Sequence, residues 1–270
     1  MAGRATIVGA AGFVGRRLRS RLEATGWDVF APGRGDRELF RRDLGVVFYC
    51  AGLTADYDAR PFDTVEAHAS LVSELIRAAS FSRLVYTSST RLYDGMGLKS
   101  VAETQPLVLD PTDPRRVYDL SKALGENLTI ARTGGRGAVA RLSGVYHWGD
   151  EAPGFLSAWL IQAQAHRELN LESSPHVARD YIHLDDVVAA LIALGESREP
   201  AGIVNVASGE LVTNGEIAQV FEEEGWHVTF SGHGRPLDPP NVDIAKLKAL
   251  GVTPRGVKDV VRRYLQGLKA

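Results

Sequence analysis

The sequence contains little sulfur: Cys50 is its single cysteine, and two methionines occur in 270 residues. A lone cysteine cannot form a disulfide within the chain, and it excludes a zinc site built from several thiolates. Neither a disulfide nor a metal site is needed for folding, because a chain of this length buries roughly three quarters of its unfolded surface. We therefore predict no metal site and assign Cys50 to packing at the end of a buried strand.

The sequence also has no large excess of either charge, because it contains 31 basic and 33 acidic residues. Proteins that bind nucleic acid usually carry a basic footprint, so this balance argues against such a partner. No apolar run approaches the roughly 20 residues that span a bilayer. The amino-terminal segment MAGRATIVGAAG leads directly into a strand-like run, without a signal-peptide pattern. We expect a soluble, cytoplasmic protein with no nucleic-acid or membrane partner.

Glycine, by contrast, is abundant, with 28 residues, and the chain alternates short apolar runs with helical patterns. Continuous apolar runs are typical of strands buried on both faces of a sheet. Alternation with helices indicates parallel strands joined by crossover helices. The sequence thus predicts an α/β fold, a Rossmann-type doubly wound parallel sheet with a small carboxy-terminal substrate lobe. The predicted strands are residues 5–8, 27–31, 46–50, 84–87, 138–142 and 203–206, and the main helices are 63–79, 117–131, 185–194, 213–224 and 257–268.

The alternating pattern weakens after Gly144. Proline, tryptophan and glycine cluster in VYHWGDEAPG and later in SGHGRPLDPP, and such clusters predict loops. We assign residues 1–145 and about 181–207 to a dinucleotide-binding domain. Residues of about 146–180 and 208–270 are assigned to the smaller lobe.

The turn after the first strand contains Gly9, Gly12 and Gly15, with Phe13 and Val14 between the last two. Glycine permits the tight turn and lets a pyrophosphate approach the backbone. The helix that follows points free N–H groups and a positive partial charge toward that phosphate. A glycine triplet alone is a weak signal, but its place between a strand and a helix favours a dinucleotide site.

The end of the second strand indicates which dinucleotide is bound. An NAD site usually has an acidic residue there, which accepts hydrogen bonds from the ribose hydroxyls. Gly33 occupies that position and Arg34 follows it. A guanidinium pairs well with the 2′-phosphate of NADP, which favours NADP. NAD stays possible, because Asp36 can also turn toward the ribose.

Three polar residues form a candidate catalytic set. Tyr118 and Lys122 are four residues apart and share one helix face. A neighbouring ammonium and an oxidised nicotinamide ring both favour the phenolate form of a tyrosine. Ser89 follows the strand 84–87, at the sheet edge where ligands of open α/β sheets bind, and its hydroxyl can hydrogen-bond a carbonyl oxygen.

Taken together, these motifs resemble those of the extended short-chain dehydrogenase/reductases, the NAD-dependent epimerase/dehydratase family. The resemblance covers nearly the whole chain, and several ordered motifs are more specific than any one of them. Glycines 9, 12 and 15 match G-x-x-G-x-x-G, and residues 118–122 match Y-x-x-x-K. Four further segments resemble family motifs: 49–52 resemble H-x-A-[AG], 88–93 resemble S-[ST]-x-x-V-Y, 179–186 resemble R-D-[FY]-[IV]-H-V-x-D, and 234–238 resemble the late R-x-G-D segment.

The resemblance implies roles for individual residues. It places the proton donor on Tyr118, the carbonyl hydrogen bond on Ser89 and the ribose contact on Lys122. It also implies a nucleotide-linked sugar as substrate and a homodimer formed through the two long helices. The implied cofactor-binding residues are Gly9, Gly12, Phe13, Val14, Gly15, Arg34, Cys50, Ala51, Gly52, Thr87, Tyr118 and Lys122. The implied substrate-binding residues are Ser89, Arg91, His147, Arg179, Arg235 and Asp238.

The sequence also departs from the family pattern. His68 stands where the family commonly has asparagine, and Gly144 lies near a substrate-binding asparagine of the epimerases. Thr90 and Arg91 replace the Asp-Glu pair of hexose dehydratases. Without these acids, water elimination lacks its usual acid and base. Between the second and third strands the chain is too short for a full βα unit, and we predict one helix over 36–44.

Three hypotheses follow. The first is an NADPH-dependent reductase that acts on a keto group of a nucleotide-linked sugar, supported by Arg34 and the missing dehydratase acids. The second is a sugar-nucleotide epimerase, which keeps NAD bound through each turnover. The third is a non-catalytic dinucleotide-binding regulator, against which the set of Ser89, Tyr118 and Lys122 argues.

Overall fold

The computed structural model describes residues 3–54, 56–113, 116–149, 152–232 and 239–269. The strands are β1 (Arg4–Val8), β2 (Asp28–Phe30), β3 (Val46–Tyr49), β4 (Arg83–Ser89), β5 (Ser100–Val101), β6 (Gly137–Leu142), β7 (Gly144–Tyr146), β8 (Glu168–Leu171), β9 (Ala178–His183), β10 (Gly202–Val206), β11 (Leu211–Thr213), β12 (His227–Phe230) and β13 (Asn241–Val242). The helices are α1 (Phe13–Ala24), α2 (Pro61–Val65), α3 (Leu71–Ala78), α4 (Val117–Arg132), α5 (Phe155–Ala165), α6 (Leu184–Glu196), α7 (Asn214–Glu223), α8 (Ala245–Ala249) and α9 (Val257–Gly267).

The centre of the protein is a six-stranded parallel sheet in the order β10-β6-β4-β3-β1-β2. The register pairs Ala5 with Val46 and Val47 with Leu84, so apolar residues meet across neighbouring strands. This sheet confirms the predicted Rossmann-type fold. Its strands were recognisable because both faces of the sheet are covered and almost every strand residue is therefore apolar.

Helices cover the two faces of this sheet. On one face, α1 and α6 bury Leu18, Leu22 and Leu191 against the strands. On the other face, α3 and α4 pack on the sheet, and Val72 and Leu75 of α3 are fully buried there. Because all six strands are parallel, their carboxyl ends lie at one edge of the sheet, where ligands bind in this class of fold.

A close contact brings α4 onto the sheet. A side-chain carbon at Gly125 would lie only 2.6 Å from the carbonyl oxygen of His68 and would overlap the hydroxyl of Tyr86. Glycine is therefore required at this position for α4 to approach β4. That approach places the start of α4, and hence Tyr118, beside the end of β4.

A second hydrophobic cluster lies apart from the sheet. It contains Trp159 of α5, Phe221 of α7 and Leu265 of α9, together with residues of two small sheets, β11-β9-β7 and β12-β8. Val242 and Ile244, however, pack with the cluster of the central sheet. Part of the segment 208–270 therefore packs against the central sheet. The division into a dinucleotide-binding domain and a smaller lobe stays a prediction.

The predicted helix over 36–44 is wrong. The structure has a single 3₁₀ turn, Arg37–Phe40, between β2 and β3. The carboxylate of Asp36 caps this turn by accepting a hydrogen bond of 2.9 Å from the backbone of Glu38. The remaining chain is too short for further helical turns, because it must still reach the start of β3.

The long helix predicted over 63–79 is present, but it is not a regular α-helix throughout. A π-helical segment, Glu66–Ser70, joins α2 to α3. Such segments place an extra residue in one turn and often occur at functional sites. Among the described residues, no helix combines the length and the apolar character needed to cross a membrane.

Candidate active site

A cavity of about 690 Å³ opens at the carboxyl ends of β1, β2 and β3. Several residues that the sequence assigned to the cofactor line it, while Phe13, Val14, Gly15, Thr87, Tyr118 and Lys122 lie outside its lining. The assigned residues on its surface are Gly9, Gly12, Arg34, Cys50, Ala51 and Gly52.

The glycine turn fits a dinucleotide. Gly9 has a φ of 87°, and a side-chain carbon there would lie 2.7 Å from the backbone nitrogen of Ala51. A side chain at Gly15 would overlap the carbonyl oxygen of Gly9, so Gly15 lets α1 pack against the turn. No side chain caps α1 at Gly12, and its first turn has no acidic residue. Its free N–H groups and positive helix end suit the diphosphate of a dinucleotide.

The far end of this cavity carries two arginines. Arg34 and Arg37 both line it, and both are exposed. Asp36 is engaged in capping the 3₁₀ turn, which occupies one of its carboxylate oxygens. Arg37 could not be predicted from the sequence, because its place at the cavity depends on the 3₁₀ turn.

The candidate catalytic residues lie beside the same sheet edge. Ser89 ends β4, and Tyr118 lies in the first turn of α4, where it is 5% exposed. Burial raises the pKa of the Tyr118 phenol above its usual value. A hydrogen bond with Ser89 and the charge of Arg91 lower that pKa in part. The structure thus brings together the hydroxyl and the phenol that the sequence paired.

Lys122 is buried one turn further along α4. Its ammonium donates a hydrogen bond of 2.9 Å to the carbonyl oxygen of Thr87 and lies 5.1 Å from the ring centre of Tyr86. Burial lowers the pKa of Lys122 to about 8. Thr87 itself donates a hydrogen bond of 3.0 Å to the carbonyl oxygen of Tyr49, and it therefore supports the site through its backbone.

His68, in the π-helical segment, packs against Tyr118. Its Nε2 accepts a hydrogen bond of 3.3 Å from the backbone of Leu53, and its Nδ1 lies 2.9 Å from the hydroxyl of Ser121. Burial and the nearby Lys122 lower the pKa of His68 to about 3, so the ring is neutral and Nδ1 carries the proton. The ring edge faces the ring of Tyr118, with centres 5.1 Å apart.

A second cavity, of about 330 Å³, is lined by Ser89 and contains part of the predicted substrate site. Arg91 and Arg179 line it together with Ser89 and Gly144. The Nη1 atom of Arg179 is buried and has no hydrogen-bond partner among the described residues. Gly144 is closely packed, because a side-chain carbon there would lie 2.9 Å from the carbonyl oxygen of Asp180.

His147, another predicted substrate residue, does not line this cavity. The ring of His147 stacks on Trp148, with centres 4.9 Å apart, and its Nδ1 accepts a hydrogen bond of 2.8 Å from the backbone of Gly149. These contacts tie His147 to its own loop, away from Ser89. Arg235 and Asp238 lie outside the described residues.

The fold and the site define a dinucleotide-binding α/β enzyme. The chain belongs to the NAD dependent epimerase/dehydratase family, whose profile matches residues 5–207.

Two curated relatives cover nearly the whole chain. The spore coat polysaccharide biosynthesis protein SpsK of Bacillus subtilis (strain 168) is 26% identical over 283 residues, which is 96% of this chain and 96% of the relative. The dTDP-6-deoxy-L-talose 4-dehydrogenase (NAD(P)(+)) of Kitasatospora kifunensis is 28% identical over 296 residues, which is 93% of this chain and 91% of the relative.

Among solved structures, MoeE5 in complex with UDP-glucose and NAD has a similar fold. The TM-score is 0.79 at 22% identity, and the match covers 99% of each chain. This likeness supports the Rossmann-type fold.

Proposed function

We propose that the protein is an NADPH-dependent reductase that acts on a keto group of a nucleotide-linked sugar. The observation that carries the proposal is the placement of Ser89 and Tyr118. Ser89 ends β4 and lines the second cavity, and Tyr118 lies in the first turn of α4, where it hydrogen-bonds with Ser89.

The chain's own residues supply the proton chemistry. The bound nicotinamide cofactor supplies the hydride that reduces the carbonyl carbon. Tyr118 donates the proton of its phenol to the carbonyl oxygen, so that the keto group becomes a hydroxyl group. The Ser89 hydroxyl hydrogen-bonds that oxygen as negative charge develops on it. Lys122 holds the cofactor ribose, and its ammonium is held in place by the carbonyl oxygen of Thr87.

Elimination of water is disfavoured by the residues that follow Ser89. Thr90 and Arg91 occupy the positions of the acid pair of the hexose dehydratases, and Arg91 lines the second cavity. A guanidinium stays protonated at any physiological pH and cannot act as the base. Reduction needs no acid beyond Tyr118.

The choice of NADPH rests on Arg34 and Arg37. Both line the cofactor cavity, and Asp36, which lines it as well, has one carboxylate oxygen engaged in capping the 3₁₀ turn. Guanidinium groups bind phosphate oxygens in a bidentate manner, which suits a 2′-phosphate.

The substrate class rests on Arg179 and on the relatives. The partnerless Nη1 of Arg179 provides a donor for an anionic group such as the diphosphate of a nucleotide sugar. One relative is named as a dTDP-6-deoxy-L-talose 4-dehydrogenase. A dTDP-linked 4-keto-6-deoxyhexose is therefore the first substrate to try.

The proposal includes a homodimer formed through α2, α3 and α4. Four apolar side chains on these helices are exposed to solvent in the single chain: Phe62, Val65, Leu124 and Ile130. Exposed apolar patches on packed helices favour association with a second copy.

The test follows NADPH and NADH oxidation by the purified protein with the dTDP-linked 4-keto-6-deoxyhexose. We expect turnover with NADPH and a kcat/KM at least tenfold lower with NADH. Analysis of the nucleotide released on denaturation completes the test. Retained NAD together with NADH preference would contradict the proposal and favour an epimerase, and cofactor binding without turnover on any keto sugar would favour a regulator.

A further inference from the structure

A guanidinium lies against the ring of the candidate proton donor. Arg91 is in the 3₁₀ turn Thr90–Tyr93, directly after β4. Its guanidinium carbon is 5.0 Å from the ring centre of Tyr118 and 4.6 Å from that of Tyr57. The two rings are themselves 5.3 Å apart, so one cation contacts both aromatic faces. A cation at such distances is attracted to the ring electrons.

Hydrogen bonds and an ion pair fix this arginine. Its Nη2 donates a hydrogen bond of 2.6 Å to the hydroxyl of Tyr57, and its Nε lies 3.3 Å from a carboxylate oxygen of Asp119. Asp119 is fully buried and also pairs with Arg116 at 2.9 Å. The backbone of Arg91 donates a hydrogen bond of 3.2 Å to the Ser89 hydroxyl. Arg91 is therefore tied both to the residue after Tyr118 and to Ser89.

The other polar groups around Tyr118 do not take this role. From α4, Lys122 directs its ammonium to the carbonyl oxygen of Thr87, and Asp119 raises the pKa of Tyr118. From the π-helical segment, His68 is neutral because its pKa is lowered by burial. Tyr57 also raises the pKa of Tyr118, whereas the hydrogen bond of Ser89 and the charge of Arg91 lower it.

We propose that Arg91 is a positioning residue that acts through Tyr118: its guanidinium stabilises the phenolate left after proton donation and holds the ring beside Ser89. This inference rests on the proposed role of Tyr118 as proton donor. It gives Arg91 a task in the reaction that differs from that of the acidic residue it replaces. In the reverse, oxidising direction the same charge makes Tyr118 available as a base at lower pH.

The test measures ionisation of Tyr118 directly and needs no substrate. The full-length protein, labelled with ¹³C at the tyrosine ring carbon that bears oxygen, is titrated by NMR with NAD(P)⁺ bound. The Tyr118→Phe variant identifies the signal. We expect the titration midpoint of Tyr118 to rise in Arg91→Met and to rise less in Arg91→Lys, which keeps the charge but loses the planar stack.

Arg116→Met is the matched control, because Arg116 pairs with the same Asp119 and no contact of its charge with the Tyr118 ring is found in the described structure. An unchanged midpoint in both Arg91 variants, or an equal rise in Arg116→Met, would overturn the proposal. If Arg91→Met does not fold, Arg91→Lys carries the same test. Once a substrate is known, we expect kcat of Arg91→Met at neutral pH to fall roughly 2- to 30-fold, with KM changed less.

Discussion

The charged side chain of Lys122 is almost completely buried. Its effect on the free energy of unfolding can be measured separately from its proposed effect on catalysis. Burial lowers its pKa from the ordinary 10.5 to about 8. Below pH 8 the ammonium is charged in both the folded and the unfolded chain, so the folded protein bears the full cost of burying it. Between pH 8 and 10.5 the unfolded chain binds more protons, and the free energy of unfolding therefore rises with pH.

We predict that Lys122→Met increases the free energy of unfolding by about 1–3 kcal/mol at pH 7 and abolishes activity. The gain shrinks as the pH rises from 8 toward 10.5, because the folded wild type then loses the buried charge. Denaturant unfolding across this pH range measures it. Lys246→Met is the control, since Lys246 also donates to a backbone oxygen, at 3.1 Å, but lies at the surface. The prediction would be contradicted if the difference in the free energy of unfolding between Lys122→Met and the wild type did not change with pH.

The two arginines of the cofactor cavity give a second prediction at this scale. Replacing Arg34 with glutamate removes a phosphate donor and adds an acceptor for ribose hydroxyls. We expect the ratio of kcat/KM for NADPH over NADH to fall by at least tenfold, mainly through KM for NADPH. Arg42→Glu is the control, because Arg42 packs on the ring of Phe30 and is not part of the cavity lining. An equal loss in both variants would show that only the general positive charge matters.

At the scale of secondary structure elements, the contact of α4 with β4 decides where Tyr118 lies. We predict that Gly125→Ala lowers the free energy of unfolding by at least about 2 kcal/mol, because the added carbon meets backbone and Tyr86. Gly267→Ala, in a helix with open space around that position, should be neutral or stabilising by up to about 1 kcal/mol. Thermal and denaturant unfolding of both variants provide the comparison. Equal effects would mean that the approach of α4 does not need glycine.

The sequence predicted the elements of the central sheet because buried parallel strands are continuously apolar and their helices carry an apolar stripe. It did not predict α5 or the small sheets around it. The helix α5 follows a cluster of glycine and proline, and its apolar residues lie on nearly every side rather than along one stripe. The strands β7, β11 and β13 have only two or three residues, too few for a recognisable period.

The candidate site likewise contains residues that the sequence predicts and residues that it does not. Gly9, Ser89, Tyr118 and Lys122 were found because their spacing follows from one turn, one strand end and one helix. The contact of Arg91 with Tyr57 and Tyr118 joins three separate segments of the chain, and no local spacing indicates it. The contacts of His68 likewise depend on the π-helical segment, which no sequence pattern indicates.

At the scale of the whole molecule, the helices α2 and α4 present apolar side chains to solvent. Phe62 is 87% exposed and Leu124 is 49% exposed in the single chain. A monomer gains nothing from such exposure, whereas a second copy would bury these side chains.

We predict a dimer in sedimentation experiments with the full-length protein. The double variant Phe62→Glu/Leu124→Glu should sediment as a monomer, because charge at the centre of an apolar interface opposes association. Val108→Glu is the control: Val108 is 71% exposed and belongs to a loop rather than to either helix. A monomeric wild type, or a dimer unaffected by the double variant, would contradict the proposed interface.

The proposed mechanism requires Tyr118 as the proton donor, and Tyr118→Phe tests this role most directly. The measurement is kcat and KM for NADPH-dependent reduction of the dTDP-linked 4-keto-6-deoxyhexose by the wild type and the variant. Removal of one hydroxyl should lower kcat roughly 100- to 10,000-fold while KM changes little. A variant that reduces the keto sugar as fast as the wild type would contradict the proposed mechanism.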